Sequence, residues 1–212
     1  MTAESARPAE SQDDLELARR SAGGDIAAQR QLFRDQRGRV HRTLYRILGS
    51  NADMEDLVQD VFLEVFRSLD RYRGEARLST WIARITARVA MHYFGRRKPP
   101  SYSLDALPFE VEAAGPSAEQ VALAREAARR LYRALDRVEA AQRVAFALHV
   151  IDGIPLREVA DITESSLVAT KSRVWRARRE IEKRARRDPL LAGFLAHAGA
   201  DADADAEQEE TS

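Results

Sequence analysis

The chain has 212 residues, of which 44% are hydrophobic and 32% are charged, and it contains no cysteine. This length allows one large domain or two small ones, and the charge content argues against a membrane protein. Without cysteine, a disulfide framework, a thiolate zinc site and a cysteine nucleophile are all excluded. The polar, acidic start is unlike a signal peptide, and no apolar run approaches the roughly 20 residues of a membrane span. We therefore expect a cytoplasmic protein with no membrane insertion of its own.

The charges are strongly segregated along the chain, although the 34 basic and 34 acidic residues cancel. Residues 15–98 and residues 121–187 each carry a net charge of +7. An N-terminal tail (1–14), a segment rich in proline (99–120) and a C-terminal tail (188–212) carry −3, −4 and −7. The segment 99–120 has the composition of a flexible linker, and the C-terminal tail is too polar and repetitive to order itself. The sequence thus predicts two basic modules separated and flanked by acidic segments.

Both modules are predicted to be helical, because apolar residues recur every three to four positions and alternating strand patterns are missing. In the first module, Asp25 is expected to cap a helix that ends at Gly49. A second helix is expected from about Asp53 to Asp70, and a third, capped by Ser79 or Thr80, through Phe94. In the second module, residues 141–187 follow a helix-turn-helix pattern. The predicted fold class is all-α, with two small helical domains.

The two charged faces of the first module have opposite character. Residues 53–70 hold six acids and one base, and Asp56, Asp60 and Glu64 share a helix face with Gln59 beside them. This face is either an ordinary solvated surface or a docking surface for a basic partner protein, since it would repel DNA. In the third helix, basic and aromatic side chains share another face, namely Arg77, Trp81, Arg84, Arg88 and His92. These are either a core tryptophan with solubilising arginines or a stacking platform for single-stranded nucleic acid.

The last predicted helix, from Ser166 to Arg187, holds nine basic residues against two acids, which favours contact with DNA. The four histidines are scattered, and neither a His-Glu-x-x-His motif nor a phosphate-binding glycine loop is found. We therefore expect no catalytic residue, no metal and no cofactor. One alternative is a helix-turn-helix repressor or activator that acts without polymerase. In such a protein the acidic face and the basic, aromatic face with Trp81 would have no function. An all-helical enzyme lacks any convergent nucleophile or base.

The stretches DMEDLVQDVFLEVFRSLDRYRGEARLSTWIARITARVA and IPLREVADITESSLVATKSRVWRARREI resemble the extracytoplasmic-function group of bacterial sigma-70 family transcription factors. The resemblance covers nearly all of residues 15–187, with the motifs in the family's order and spacing. It implies that residues 15–98 form sigma domain two and residues 121–187 form sigma domain four. It also implies that the chain binds core RNA polymerase, through the clamp helices and flap of the large subunits, and promoter DNA, and that an anti-sigma factor controls it.

The resemblance assigns roles to three sets of residues. The polymerase-binding set is Asp56, Gln59, Asp60 and Glu64. The set expected to recognise and melt the −10 element is Tyr72, Arg73, Ser79, Thr80, Trp81, Arg84, Arg88 and His92. The set expected to contact the −35 element is Lys171, Ser172, Arg173, Arg176 and Arg179.

Several positions depart from the family pattern, among them Arg88, Glu164, Ser165 and Thr170. Arg88 stands where many relatives carry asparagine, so the −10 base preference of relatives is not transferable. Glu164 and Ser165 replace the usual glycine and apolar residue in the turn before the last helix, and Thr170 replaces the usual valine. We therefore expect the packing of that helix, or its approach to DNA, to differ from the family norm.

Overall fold

The computed structural model describes residues 10–49, 53–96 and 118–193, and in these ranges every regular element is a helix. The predicted all-α class is confirmed. Residues 97–117, with most of the predicted linker, and most of both acidic tails lie outside the described ranges. The helices of the first module are α1 (Glu10–Ala22), α2 (Ile26–Leu48), α3 (Met54–Ser68) and α4 (Leu78–Arg96). Those of the second are α5 (Ala118–Leu135), α6 (Ala140–Phe146), α7 (Leu156–Ile162) and α8 (Leu167–Ala185).

Helix α2 begins and ends where its sequence signals place it. One carboxylate oxygen of Asp25 accepts hydrogen bonds from the backbone N–H groups of Ala27 and Ala28, at 2.9 and 3.1 Å. The other oxygen accepts from the Arg20 guanidinium, which holds the pKa of Asp25 below its usual range. At the far end, Gly49 takes a φ of 77°, a left-handed conformation that favours glycine. The predicted cap and stop of this helix are confirmed.

The start of α4 differs from the prediction. The helix begins at Leu78, so Ser79 and Thr80 lie inside its first turn rather than before it. The backbone N–H of Leu78 donates instead to the carboxylate of Asp14, at 3.0 Å. Asp14 belongs to α1, a helix that the sequence analysis did not predict and that begins within the expected N-terminal tail. The free backbone N–H at the start of α4 therefore bonds to a carboxylate from α1, and not to Ser79 or Thr80 as predicted.

The apolar core runs through both modules. One buried cluster joins side chains from α2, α3 and α4 to side chains from the α6–α7 region, among them Leu44, Ile47, Val61, Ile82, Val144, Leu148 and Val159. A smaller cluster lies within the second module and contains Leu131, Leu135, Phe146 and Ile181. Between α6 and α7, a π-helical segment (Ala147–Ile151) leads to a turn at Gly153, whose φ is 69°. The two modules therefore pack against each other rather than lying apart.

Candidate partner and nucleic-acid interfaces

Helix α3 presents an acidic face that the described part of the chain leaves uncovered. Its opposite side is buried in the core, whereas Asp56, Gln59 and Asp60 are exposed and Glu64 is half-buried. Among the described residues, none of these three carboxylates forms an ion pair. Leu63, which the sequence analysis missed, is 51% exposed on the same helix, four residues after Gln59. An exposed leucine among unpaired carboxylates is a surface suited to a protein partner.

Two of the candidate −10 residues pack inside the protein, and the other six are at least partly accessible to solvent. Tyr72 is buried, its hydroxyl donates to the backbone carbonyl of Ala76 at 2.8 Å, and burial raises its pKa to about 12. Trp81 is half-buried, with its ring 5.6 Å from the ring of Tyr72. These two aromatic residues therefore contribute to the packing around the start of α4. The accessible part of the set consists of exposed Arg73, Arg88 and His92 and half-buried Ser79, Thr80 and Arg84.

The acidic and basic faces meet in one groove between α3 and α4. Its volume is about 410 Å³, and Asp60, Glu64 and Arg67 line the α3 side. Arg88, His92 and Arg96 line the α4 side, over an apolar floor that includes Ile85 and Tyr93. The sequence placed these charges on separate helices but gave no indication that they face each other. A partner on α3 and a nucleic-acid strand on α4 would consequently lie side by side.

Helix α8 carries its charge in two distinct parts. Lys171, Arg173, Arg176 and Arg179 form no ion pair within the part of the chain that the structure describes. Arg176 and Arg179 are exposed, and Lys171, Ser172 and Arg173 are half-buried. Nearer the C-terminus, by contrast, Lys183 and Arg184 pair with Glu180 at 3.0 and 2.6 Å. The first part of the helix thus keeps its positive charge available for phosphate groups.

Two exposed apolar residues of α8 were not among the predicted site residues. Val168 is 75% exposed and Trp175 is 59% exposed, and they lie seven residues apart, two turns along the helix. The guanidinium of Arg179 lies 5.2 Å from the centre of the Trp175 ring. The available signal was their spacing on a side of the helix other than the one that buries Thr170, Ala177 and Ile181. The sequence analysis considered only polar and basic side chains there.

The turn before α8 accommodates the departures noted in the sequence. Glu164 adopts a φ of 49°, the conformation that glycine takes more readily. The Ser165 hydroxyl oxygen lies 2.9 Å from that of Thr163 and 2.8 Å from that of Thr170. Thr170 is fully buried, and its hydroxyl also donates to the backbone carbonyl of Ser166. A connected set of hydroxyl groups, in Thr163, Ser165 and Thr170, therefore lies at this turn.

Comparison with known proteins defines the class. Residues 32–99 match Sigma-70 region 2, and residues 128–181 match Sigma-70, region 4, so each module corresponds to one sigma domain. The chain is a transcription initiation factor of the sigma-70 family. Within the part that the structure describes, no helix is long and apolar enough to cross a membrane.

Similar proteins identify the subfamily. The chain is 29% identical over 187 residues to the ECF RNA polymerase sigma-E factors of Escherichia coli K12 and Salmonella typhimurium LT2, a match that covers 84% of this chain and 96% of each relative. The corresponding factor of Haemophilus influenzae is 28% identical, with 86% and 100% covered. The chain belongs to the extracytoplasmic-function subfamily of sigma-70 factors. Its fold is also similar to that of CnrH, solved in complex with the cytosolic domain of CnrY (TM-score 0.55, 23% identity, 82% and 98% covered).

Proposed function

We propose that the acidic face of α3 is the surface that binds the clamp helices of core RNA polymerase. The observation that carries this assignment is a set of three carboxylates, in Asp56, Asp60 and Glu64, that have no ion pair among the described residues, beside an exposed leucine. Residues 53–70, which include this helix, carry a net charge of −5 within a module of +7. A basic partner would be attracted to this helix and DNA would be repelled.

We further propose that the α4 side of the groove holds the unpaired non-template strand of the −10 element. Arg88 and His92 are exposed there, next to Arg96. Guanidinium groups neutralise phosphates, and guanidinium and imidazole groups stack on unpaired bases, so strand capture would offset part of the free energy of melting. Tyr72 and Trp81 would act mainly by shaping the start of α4, because they pack on each other.

For the −35 element, we propose that α8 enters the major groove with Lys171, Ser172, Arg173, Arg176 and Arg179 near bases or phosphates. One observation in support is that Lys171, Arg173, Arg176 and Arg179 form no ion pair among the described residues. Another is that Ser166 caps the helix, because its hydroxyl accepts a hydrogen bond from the Ala169 N–H at 3.2 Å. Arginines without ion-pair partners are suited to contact phosphates and the edges of bases in the major groove.

We also infer that the chain acts in the cytoplasm, performs no bond chemistry of its own and is controlled by an anti-sigma factor. Promoter recognition of this kind requires binding energy rather than a nucleophile. The similar fold of CnrH was solved with part of another protein bound to it, which supports a protein partner for this chain as well.

The polymerase assignment is tested by charge reversal. A double variant, Asp56→Lys with Asp60→Lys, should lose binding to core polymerase in a pull-down and lose run-off transcription, because like charges at an interface cost several kcal/mol. The matched control is Asp35→Lys with Asp70→Lys, which makes the same change in net charge at exposed positions outside the acidic face. Equal core affinity of the two double variants would contradict the assignment. Promoter-specific binding without core polymerase would favour the helix-turn-helix regulator instead.

A further inference from the structure

Helix α1 packs on the loop that precedes α4. This loop, residues 73–77, lies within the proposed −10 set, between Tyr72 and Ser79. From α1, Ala18 is buried in the core of the first module, and Leu15 and Leu17 pack against the same core. The helix is therefore anchored in the module, and its side chains contact the loop region from a fixed support.

Asp14 supports the end of the loop. Its carboxylate accepts a hydrogen bond from the backbone N–H of Leu78 at 3.0 Å, and Leu78 is only 1% exposed. The first N–H groups of a helix have no partner within the helix, and a buried N–H without a partner is unfavourable. The acceptor that fixes the start of α4 thus comes from α1, next to half-buried Ser79 and Thr80.

Leu15 covers the middle of the loop. Gly74 is buried and takes a φ of 72°, a left-handed conformation that favours glycine. A Cβ atom at Gly74 would lie between 2.8 and 2.9 Å from three side-chain atoms of Leu15, so the loop and α1 are in close contact there. Any larger residue at position 74 would push the loop away from α1, in addition to straining its own backbone.

Contacts of Tyr72 fix the loop from the other side. Its hydroxyl donates to the carbonyl of Ala76 at 2.8 Å, and its ring lies 5.6 Å from the Trp81 ring. Burial raises the pKa of Tyr72 to about 12, and the negative charge of Asp14 adds to this rise, so the hydroxyl stays protonated and donates at neutral pH. Arg73, by contrast, remains exposed and forms no ion pair among the described residues.

We propose that Asp14 and Leu15 are positioning residues for the −10 strand: from α1 they hold residues 73–77 in the conformation that the unpaired strand binds. This proposal rests on the proposed role of the first module in binding that strand. A loop that is already held in its binding conformation loses less conformational entropy when the strand binds. Removal of either α1 contact should therefore weaken strand capture, although neither residue belongs to the proposed DNA surfaces.

Two variants of Asp14 separate its hydrogen bond from its charge. With Asp14→Ala, the affinity of the holoenzyme for a labelled single-stranded −10 oligonucleotide should fall roughly 2- to 30-fold, the range that loss of a helix-cap bond spans. Asp14→Asn keeps an acceptor oxygen and should bind the strand nearly as tightly as the unmodified factor. Asp13→Ala is the matched control, because Asp13 is exposed and makes no hydrogen bond or ion pair among the described residues.

Two further measurements separate positioning from stability. Core polymerase should bind Asp14→Ala as tightly as the unmodified factor, because the acidic face of α3 is unchanged. Hydrogen exchange of the backbone amides in residues 73–77 should become faster in Asp14→Ala than in Asp13→Ala. Equal losses of core binding and strand binding, or unchanged exchange in the loop, would overturn the proposal.

Glycine variants test the Leu15 contact. Gly74→Ala should also weaken binding of the −10 oligonucleotide, because its Cβ displaces Leu15. Gly24→Ala is the control, since Gly24 has a left-handed φ of 86° but a Cβ there would meet no atom within 4 Å. Adding Leu15→Ala to Gly74→Ala should cause little further loss, because both changes disrupt the same contact. Equal strand affinity of the two glycine variants would contradict the role of Leu15.

Arg88→Ala separates a failure of this proposal from a failure of the proposed function. Arg88 lies on the α4 side of the groove, outside the loop. If Arg88→Ala weakens binding of the −10 oligonucleotide but Asp14→Ala and Gly74→Ala do not, then α1 has no positioning role and the −10 assignment stands. If none of the three variants weakens it, the −10 assignment is contradicted, and the positioning role with it.

Discussion

Thr170, which the sequence analysis noted as a departure from the family pattern, has a fully buried hydroxyl, and the structure explains how the fold tolerates it. The side chain is fully buried, but its oxygen has two partners, the Ser165 hydroxyl and the Ser166 carbonyl. Ser165 in turn contacts Thr163, whose hydroxyl donates to the Val159 carbonyl at 2.8 Å. The departures at Ser165 and Thr170 therefore support each other, because a buried polar group is tolerated when it is hydrogen-bonded.

Thr170→Val should destabilise the protein, although valine has nearly the same shape. It leaves Ser165 without one of its two hydroxyl partners, which should lower the free energy of unfolding by about 1–3 kcal/mol, as measured by urea denaturation. The matched control is Thr86→Val, because Thr86 is also buried but its hydroxyl contacts only the Ile82 carbonyl one turn earlier in its own helix. If both variants lose the same stability, the hydroxyl set does not act as a unit.

At the scale of elements, α8 shows how one helix serves two purposes. Its buried side, with Thr170, Ala177 and Ile181, anchors it to the second module. Its last turns pair their cations with Glu180 and Glu182 at distances between 2.6 and 3.7 Å. Exposed ion pairs of this kind contribute little stability but neutralise charge. DNA contact should therefore concentrate in the first part of the helix.

Arg176→Ala should weaken promoter binding by the holoenzyme, by about 1–3 kcal/mol if the guanidinium makes a bidentate contact with a base. If it contacts only phosphate, affinity should fall uniformly across promoter sequences and the salt dependence should flatten. Lys183→Ala is the control, since this exposed lysine already pairs with Glu180. The measurement is equilibrium binding to promoter fragments at several salt concentrations. An Arg176→Ala variant indistinguishable from Lys183→Ala would contradict the proposed role of α8.

The sequence predicted the elements whose signals are local and missed those that depend on distant residues. The Asp25 cap and the Gly49 stop were predictable, because cap and helix are adjacent in the chain. The support of Leu78 by Asp14 spans 64 residues, and the contacts of Arg143 with α2 span 95 and 96 residues, so neither leaves a pattern in a single sequence. Helix α1 was missed for a related reason: the acids at its start were grouped with the tail by charge.

At the scale of the whole molecule, the packing of the two modules brings residues of the two proposed DNA surfaces together. The sequence suggested two modules with separate tasks, and both sigma domains are present. Their contact in the structure could not be foreseen, because the residues between them have no sequence feature that fixes a relative orientation. Arg88 has two neighbours of different kinds. It pairs with Glu164 when the modules are packed, and it lines the proposed strand-binding groove.

Arg88→Ala should slow the formation of open complexes on duplex promoters while leaving binding to core polymerase and the −35 contact nearly unchanged. A guanidinium can contact a phosphate and make a cation–π contact with an unpaired base, so loss of this group should reduce capture of the melted strand. Permanganate reactivity of the −10 region measures the opening. Arg34→Ala, which removes the same charge from an exposed position on α2, is the control for a general electrostatic effect.

The two roles of Arg88 are separated by Glu164→Gln. This variant removes the ion pair between the modules but keeps the guanidinium, so it should open promoters at least as fast as the unmodified factor. Arg88→Ala removes both, and its defect should persist, in reduced form, as weaker binding to a premelted promoter bubble, because the strand still lacks its partner there. Normal permanganate reactivity with Arg88→Ala would contradict a role of Arg88 in strand capture. If Glu164→Gln is as slow as Arg88→Ala, then Arg88 acts through its contact with Glu164 rather than through the single strand.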